Sequence, residues 1–313
     1  MKQTSKPIVF FGNERLATGA ITTAPTLTRL IEEGYSVKAI VASNDFSASR
    51  KQRSLEVAEV AQKHNIPLLL PKNLKEISEE LRALKAEIGV LVAYGKMIPQ
   101  SIIDIFPCGI VNIHPSLLPL HRGPTPIESV ILKGEQQTGV SLMKLVKAMD
   151  AGPIYVQKTL NLTGAETKQE LVDTLLKMGS EALLSVLPDI LTSNIEPKPQ
   201  NDSMATYDSL IDKKAGYIDW QKPAIQLERE IRAYALWPGS RTTLAGKEVT
   251  ITQAHIRPIS QTDVLPGAVR LVNKAIEIAT KDGALIVDSL KPAGKSEMSA
   301  AAFIAGHKKN LVQ

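Results

Sequence analysis

Asn112 and His114 stand two positions apart in the stretch Gly109–Pro126, which reads GIVNIHPSLLPLHRGPTP. The stretch opens as an apolar run, and in an extended segment residues i and i+2 share a face. An amide and an imidazole are therefore expected side by side on one face of a buried strand, with Val111 and Ile113 packed on the other. The amide can donate and accept hydrogen bonds, and the imidazole can move a proton near neutral pH. Pro115 has no N–H to give and stops the ladder. Two roles are open to the pair: a site, or a buried Asn and His that satisfy each other. The loop that follows, Ser116-Leu117-Leu118-Pro119 and then Arg122-Gly123-Pro124, offers exposed backbone amides, two apolar side chains and tight turns. Such a loop suits a flat, partly apolar ligand held through main-chain contacts. Asp150, just before Gly152-Pro153, is either a turn residue or the acceptor that orients His114.

Other residues carry less. Arg50, Lys51 and Arg53 lie in the polar loop Asn44–Ser54, as a solvated surface or as contacts to nucleic-acid phosphates. Cys108 is the only cysteine, so an intrachain disulfide and a multi-cysteine metal site are excluded, and a reducing cytoplasm is expected. It reads as a small packing residue. The five histidines are dispersed and form no zinc-type cluster, so no metal is expected. The glycines of Gly12–Gly19 are seven apart, not in dinucleotide-fingerprint spacing, which argues against NAD or ATP. Hydrophobic residues make up 43% and charged residues 22%, as in ordinary globular chains. No secretory leader is expected at the N-terminus, and no apolar run reaches the roughly 20 residues of a membrane span. The net charge is +5, and four of those charges fall in residues 207–313, where 15 Lys+Arg face 11 Asp+Glu. That excess is either an ordinary surface or the footprint of an anionic partner such as nucleic acid.

Elements that position these residues follow from pattern. Strands are expected at Pro7–Phe11, Tyr35–Ala42, Ile66–Leu70 and Glu87–Tyr94, with helices at Pro25–Glu33, Leu55–His64 and from Asn73 to Leu84. Alternation of the two types predicts an α/β fold with a doubly wound, mostly parallel sheet. Chemistry in such a sheet sits at the carboxyl ends of the strands, where Asn112 and His114 fall. A helix at Pro126–Lys133, strands at Gly139–Val146 and Ile154–Leu162, and a long helix at Lys168–Leu191 complete an N-terminal domain over 1–191. Residues 192–205 (TSNIEPKPQNDSMA) are polar and aperiodic and read as a linker. Residues 206–313 hold a helix near Ala224–Leu236 and short alternating segments that suit a smaller OB-like β-barrel.

Asn-x-His-x-Ser-Leu-Leu-Pro-x-x-Arg-Gly-x-x-Pro, followed by Asp-x-Gly-Pro-Ile, resembles the signature of the formyltetrahydrofolate-dependent formyltransferases. Ala93-Tyr94-Gly95, Gly134–Val140, Tyr217-Ile218-Asp219-Trp220 and Ile231–Gly239 extend the likeness over nearly the whole chain, and the last two blocks resemble members acting on initiator tRNA. The resemblance implies a Rossmann-like core and transfer of a formyl group from 10-formyltetrahydrofolate, as co-substrate and without a metal, to the α-amino group of methionyl-initiator tRNA. It assigns catalysis to Asn112, His114 and Asp150, folate contact to Ser116, Leu117, Leu118 and Pro119, and tRNA contact to Arg50, Lys51, Arg53 and the C-terminal domain of a cytoplasmic monomer. An amino-sugar nucleotide is the alternative acceptor, and a folate- or RNA-binding module without catalysis the alternative class. Three places depart from the family's pattern: Asn13-Glu14 after the first strand, the short loop Phe46–Arg53, and Leu120-His121.

Overall fold

Runs of aliphatic residues too short for helices build the first sheet. In the computed structural model, which describes residues 6–43, 55–257, 265–272 and 275–311, these are β1 (Pro7–Gly12), β2 (Ser36–Val41), β3 (Leu68–Leu69), β4 (Ile88–Val92), β5 (Ile110–His114), β6 (Gln137–Lys144) and β7 (Ile154–Asn161). Their order across the sheet is β3-β2-β1-β4-β5-β6-β7. The first five are parallel; β6 and β7 are antiparallel additions at one edge. Every residue of β4 and β5 is buried, as expected of central strands covered on both faces. β7 leaves much of its length exposed, as an edge strand does. The helices are α1 (Pro25–Glu32), α2 (Glu56–His64), α3 (Ser78–Ala83), α4 (Gln100–Ile103), α5 (Pro126–Lys133) and α6 (Lys168–Leu191). No helix among the described residues is long and apolar enough to cross a membrane.

Helix α1 takes the acceptors for its first turn from outside the helix. Its N-cap, Ala24, is left-handed and offers no side-chain acceptor. The cap comes instead from Glu14, whose two carboxylate oxygens accept the Thr26 N–H (2.9 Å) and the Leu27 N–H (2.8 Å). Glu14 is fully buried, and that burial pushes its carboxyl up to about 7 against the pull of the two donors.

The chain divides into two compact units, and the boundaries differ from those expected. Residues 192–205 are not a free tether but part of the first unit, which runs on to Ser209. Lys198 and Ile154 exchange two backbone hydrogen bonds of 2.8 Å, and Gln200 donates to the Asp150 and Gly152 carbonyls at 2.7 Å each. The polar side chains of this stretch are thus used as internal partners. Residues 128–135 and 163–168 group with the second unit rather than the first.

The second unit contains α7 (Ala224–Ala233), β8 (Ser240–Leu244), β9 (Lys247–Arg257), β10 (Val269–Val272), β11 (Ala275–Ala279), β12 (Ala284–Pro292), β13 (Met298–Ser299) and α8 (Ala300–Leu311). Its strands pair antiparallel in the order β10-β11-β12-β9-β8, with β13 on β12. The sheet is a small half-barrel, with β10 and β8 at its two ends. One apolar core fills it, from Leu227 and Ile231 of α7 through Ile251, Ile278 and Leu285 to Phe303 of α8.

Candidate active site

β5 ends the run of parallel strands and so carries its last residues to the carboxyl edge of the sheet. Asn112 lies opposite Leu91 of β4 and Met143 of β6, and His114 opposite Ser141 of β6. Both are buried, at 6% and 5% exposure. They do not satisfy each other. The Asn112 amide makes no side-chain hydrogen bond to any described residue. A nearly buried amide with no protein partner is costly unless something else binds it.

His114 is fixed at its other end. Its Nε2 lies 2.9 Å from the His121 carbonyl oxygen, which can only accept, so Nε2 carries a proton toward it. In the neutral ring Nδ1 is then the lone pair. That atom faces Asp150 Oδ1 at 3.8 Å. A neutral His114 can therefore accept a proton at Nδ1, with the Asp150 carboxylate 3.8 Å away. Asp150 sits on the β6–β7 connection with a left-handed backbone, φ 47°. Its second oxygen, Oδ2, accepts the Gly123 N–H at 2.8 Å.

Gly123 is required where it stands. Its φ is 115°, and a Cβ there would lie 2.5 Å from the Asp208 carbonyl oxygen. Next to it the Arg122 side chain is almost wholly buried and saturated with partners. Nε and Nη2 donate to Gln200 Oε1, Nη2 also to Asp202 Oδ1 (2.6 Å), and Nη1 to the Tyr207 hydroxyl (2.9 Å). Gln200 in turn holds the backbone at Asp150. This support was not visible in the sequence, because Gln200, Asp202 and Tyr207 lie about eighty residues away in a stretch without period.

The segment Ser116–Pro119 is placed differently from the open loop expected. Ser116 and Leu118 point inward, at 1% and 3% exposure, while Leu117 and Pro119 keep exposed surface. Its amides are largely spent within the protein. The Ser116 N–H donates to the His114 carbonyl and the Leu118 N–H to Ser141 Oγ. Ser141 Oγ donates to the Ser116 carbonyl (2.7 Å), and Gln157 Nε2 donates to the Leu118 carbonyl and to Ser141 Oγ at 2.8 Å each. The loop is a braced platform with Leu117 and Pro119 outward. Arg50, Lys51 and Arg53 lie outside the described residues. Cys108 is half-buried and burial raises its thiol pKa, as in a packing residue.

Residues 9–187 match the family described as Formyl transferase, and residues 210–308 match Formyl transferase, C-terminal domain. The chain belongs to the formyl transferase family. Among similar proteins, the methionyl-tRNA formyltransferase of Chloroflexus aurantiacus is 38% identical over 313 residues, covering 97% of this chain and 98% of the relative. That of Trichlorobacter lovleyi is 35% identical over 305 residues, covering 96% and 94%. Two solved structures superpose. HypX from Aquifex aeolicus in complex with tetrahydrofolic acid gives a TM-score of 0.67 at 18% identity over 99% of this chain, which spans about half (49%) of HypX. An N-formyltransferase from Helicobacter canadensis in complex with folinic acid and dTDP-3-aminofucose gives 0.65 at 19% identity, over 90% of this chain and 98% of that one. The residues of this formyl transferase fit a formyl-folate. The unpartnered Asn112 amide suits a formyl oxygen, and Leu117 and Pro119 suit an apolar ring face.

Proposed function

We propose that the chain transfers a formyl group from 10-formyltetrahydrofolate to the α-amino group of methionyl-initiator tRNA, in the cytoplasm, for translation initiation. One observation carries the chemistry: an unpartnered, buried Asn112 amide stands on the same strand face as a His114 whose free ring nitrogen is 3.8 Å from Asp150. The acceptor rests on the full-length likeness to proteins named methionyl-tRNA formyltransferase.

10-Formyltetrahydrofolate supplies the formyl carbon that the amine attacks. Asn112 donates to the charge that grows on the formyl oxygen, a donor of the kind worth about 3–4 kcal/mol in a preorganised site. His114 Nδ1 takes the proton that the amine sheds as its C–N bond forms, directly or through water. Asp150 holds the resulting imidazolium, and the same ring returns a proton as the folate nitrogen departs. Leu117 and Pro119 keep water from one side of the site.

The half-barrel unit is assigned to tRNA, and contact with its acceptor end to Arg50, Lys51 and Arg53. Support comes from the positive excess in residues 207–313 and from Arg241, stacked 4.1 Å above the Tyr217 ring on a half-exposed surface. The deciding experiment incubates the protein with the formyl donor and, separately, charged initiator tRNA or an amino-sugar nucleotide. Formylation of the tRNA alone is expected. Formylation of the sugar alone would replace the acceptor, and transfer to neither would overturn the enzymatic reading.

A further inference from the structure

His114 owes its tautomer to one oxygen, the carbonyl of His121, and the structure shows what holds that oxygen in place. The His121 backbone is left-handed, φ 59°, a conformation that non-glycine residues keep only when their surroundings impose it. Residues 206–208 supply ties that help to impose it. The His121 N–H donates to Thr206 Oγ1 at 2.8 Å. The Arg122 N–H donates to the Thr206 carbonyl at 2.9 Å, and the Asp208 N–H returns a bond to the Arg122 carbonyl at 2.8 Å. The third tie is between side chains: His121 Nδ1 lies 2.7 Å from Asp208 Oδ2, both side chains being 4% exposed.

We propose that Asp208 and His121 are positioning residues for proton transfer, a buried Asp–His pair that orients the His121 carbonyl and so keeps His114 protonated on Nε2 with Nδ1 open toward Asp150. The inference rests on the formyl-transfer reading for its kinetic consequence but not for its structural one. Both act on His114 through the His121 backbone. Were the pair lost, the His121–Arg122 peptide would keep only its hydrogen bonds to Thr206 and Asp208, its carbonyl would be held less closely, and His114 would populate both tautomers.

The pair can be separated from bulk packing by conservative variants. Asn at position 121 places an amide N–H near where the imidazole Nδ1–H lies and tolerates a left-handed backbone, whereas leucine does neither. Asp208→Asn keeps an acceptor for Nδ1–H; Asp208→Ala removes it. Two measurements are made on the full chain. Histidine ring 15N spectra of the protein alone read the tautomer of His114, and steady-state formyl transfer reads kcat and KM. Asp208→Ala and His121→Leu are expected to turn the single Nε2–H signature into a mixture and to lower kcat about tenfold or more with KM within about threefold. Asp208→Asn and His121→Asn are expected to restore both. Should Asp208→Ala not fold, Thr206→Val, which deletes only a hydroxyl, is read in its place, with a smaller effect in the same direction. An unchanged His114 tautomer in the disruptive variants overturns the proposal, as does a loss of turnover equal in the disruptive and conservative variants. Because the spectra need no acceptor, failure of the acceptor assignment leaves this test intact.

Discussion

Replacing Asn112 by alanine separates catalysis from stability, because the structure assigns this side chain nothing to do for the fold. Its amide holds no other described residue, so truncation breaks no internal hydrogen bond, and the backbone pairing of β5 with β4 and β6 is untouched. Three heavy atoms leave a nearly buried place, and a polar group leaves it with them. These effects oppose each other, and the net change in unfolding free energy is expected within about 1 kcal/mol. In the proposed reaction, by contrast, the formyl oxygen loses a donor aimed at it in advance. At about 3–4 kcal/mol this lowers turnover about 10²–10³-fold. An interaction made chiefly in the transition state lowers kcat and kcat/KM together, so KM for donor and tRNA should stay within about threefold. The assay is formylation of charged initiator tRNA under saturating and limiting donor, beside urea unfolding of the same preparations. Near-normal kcat would refute the placement of the formyl oxygen at Asn112. A loss of activity matched by a loss of several kcal/mol in stability would refute the claim that the residue is free of structural duty.

Further outcomes follow from buried polar groups elsewhere. Ser141→Ala should destabilise the protein by about 2–5 kcal/mol, since it strands the buried Leu118 N–H and Ser116 carbonyl; urea midpoints with an unchanged m-value measure it. Glu14 has a folded pKa of about 7, above its ordinary 4.5, so the folded state keeps a proton that the unfolded state releases. Stability from this group is full below about pH 4.5 and falls as pH rises to about 7, by about 3 kcal/mol, then levels off. Glu14→Gln should remove that slope, and equal pH dependence in both proteins would count against it. Lys168 is buried in the second unit, donates to the Trp237 carbonyl at 2.7 Å and lies 3.6 Å from Glu128, while burial lowers its pKa. Lys168→Met should cost about 3–5 kcal/mol, read as a lower midpoint in thermal or urea unfolding, because the carbonyl loses its donor and Glu128 its cation.

Much of the candidate site's placement was legible because it lies in local pattern. Asn112 and His114 share a strand face by the two-residue period alone, and the fully apolar Ile88–Val92 announced a central parallel strand next to them. Asp150 was legible only as one of two possibilities, since a turn aspartate and an orienting aspartate look alike in sequence. The helix Ala300–Leu311 went unread: it is rich in alanine, contains Gly306, and anchors through few large side chains such as Phe303, Ile304 and Leu311. Strand Ser240–Leu244 went unread as well, its polar SRTTL showing no apolar alternation.

Sequence by itself determined the elements of the first sheet, the pairing of an amide with an imidazole at a strand end, and the excess of positive charge in the last third. Periodicity and composition are local properties, and they survive without coordinates. Tertiary structure alone decided which nitrogen of His114 is free, because that depends on a carbonyl seven residues on, held by Thr206 and Asp208. It decided likewise that Ser116 and Leu118 face inward onto Ser141, and that the helix after Ala24 is capped from Glu14. Such partners lie from 7 to 87 residues apart, and a polar side chain does not reveal from its neighbours in sequence whether water or a distant backbone will satisfy it. Residues 192–205 make the point most plainly. As sequence they are an aperiodic, polar tether, and in the fold Gln200 and Asp202 among them brace the backbone at Asp150 and the side chain of Arg122.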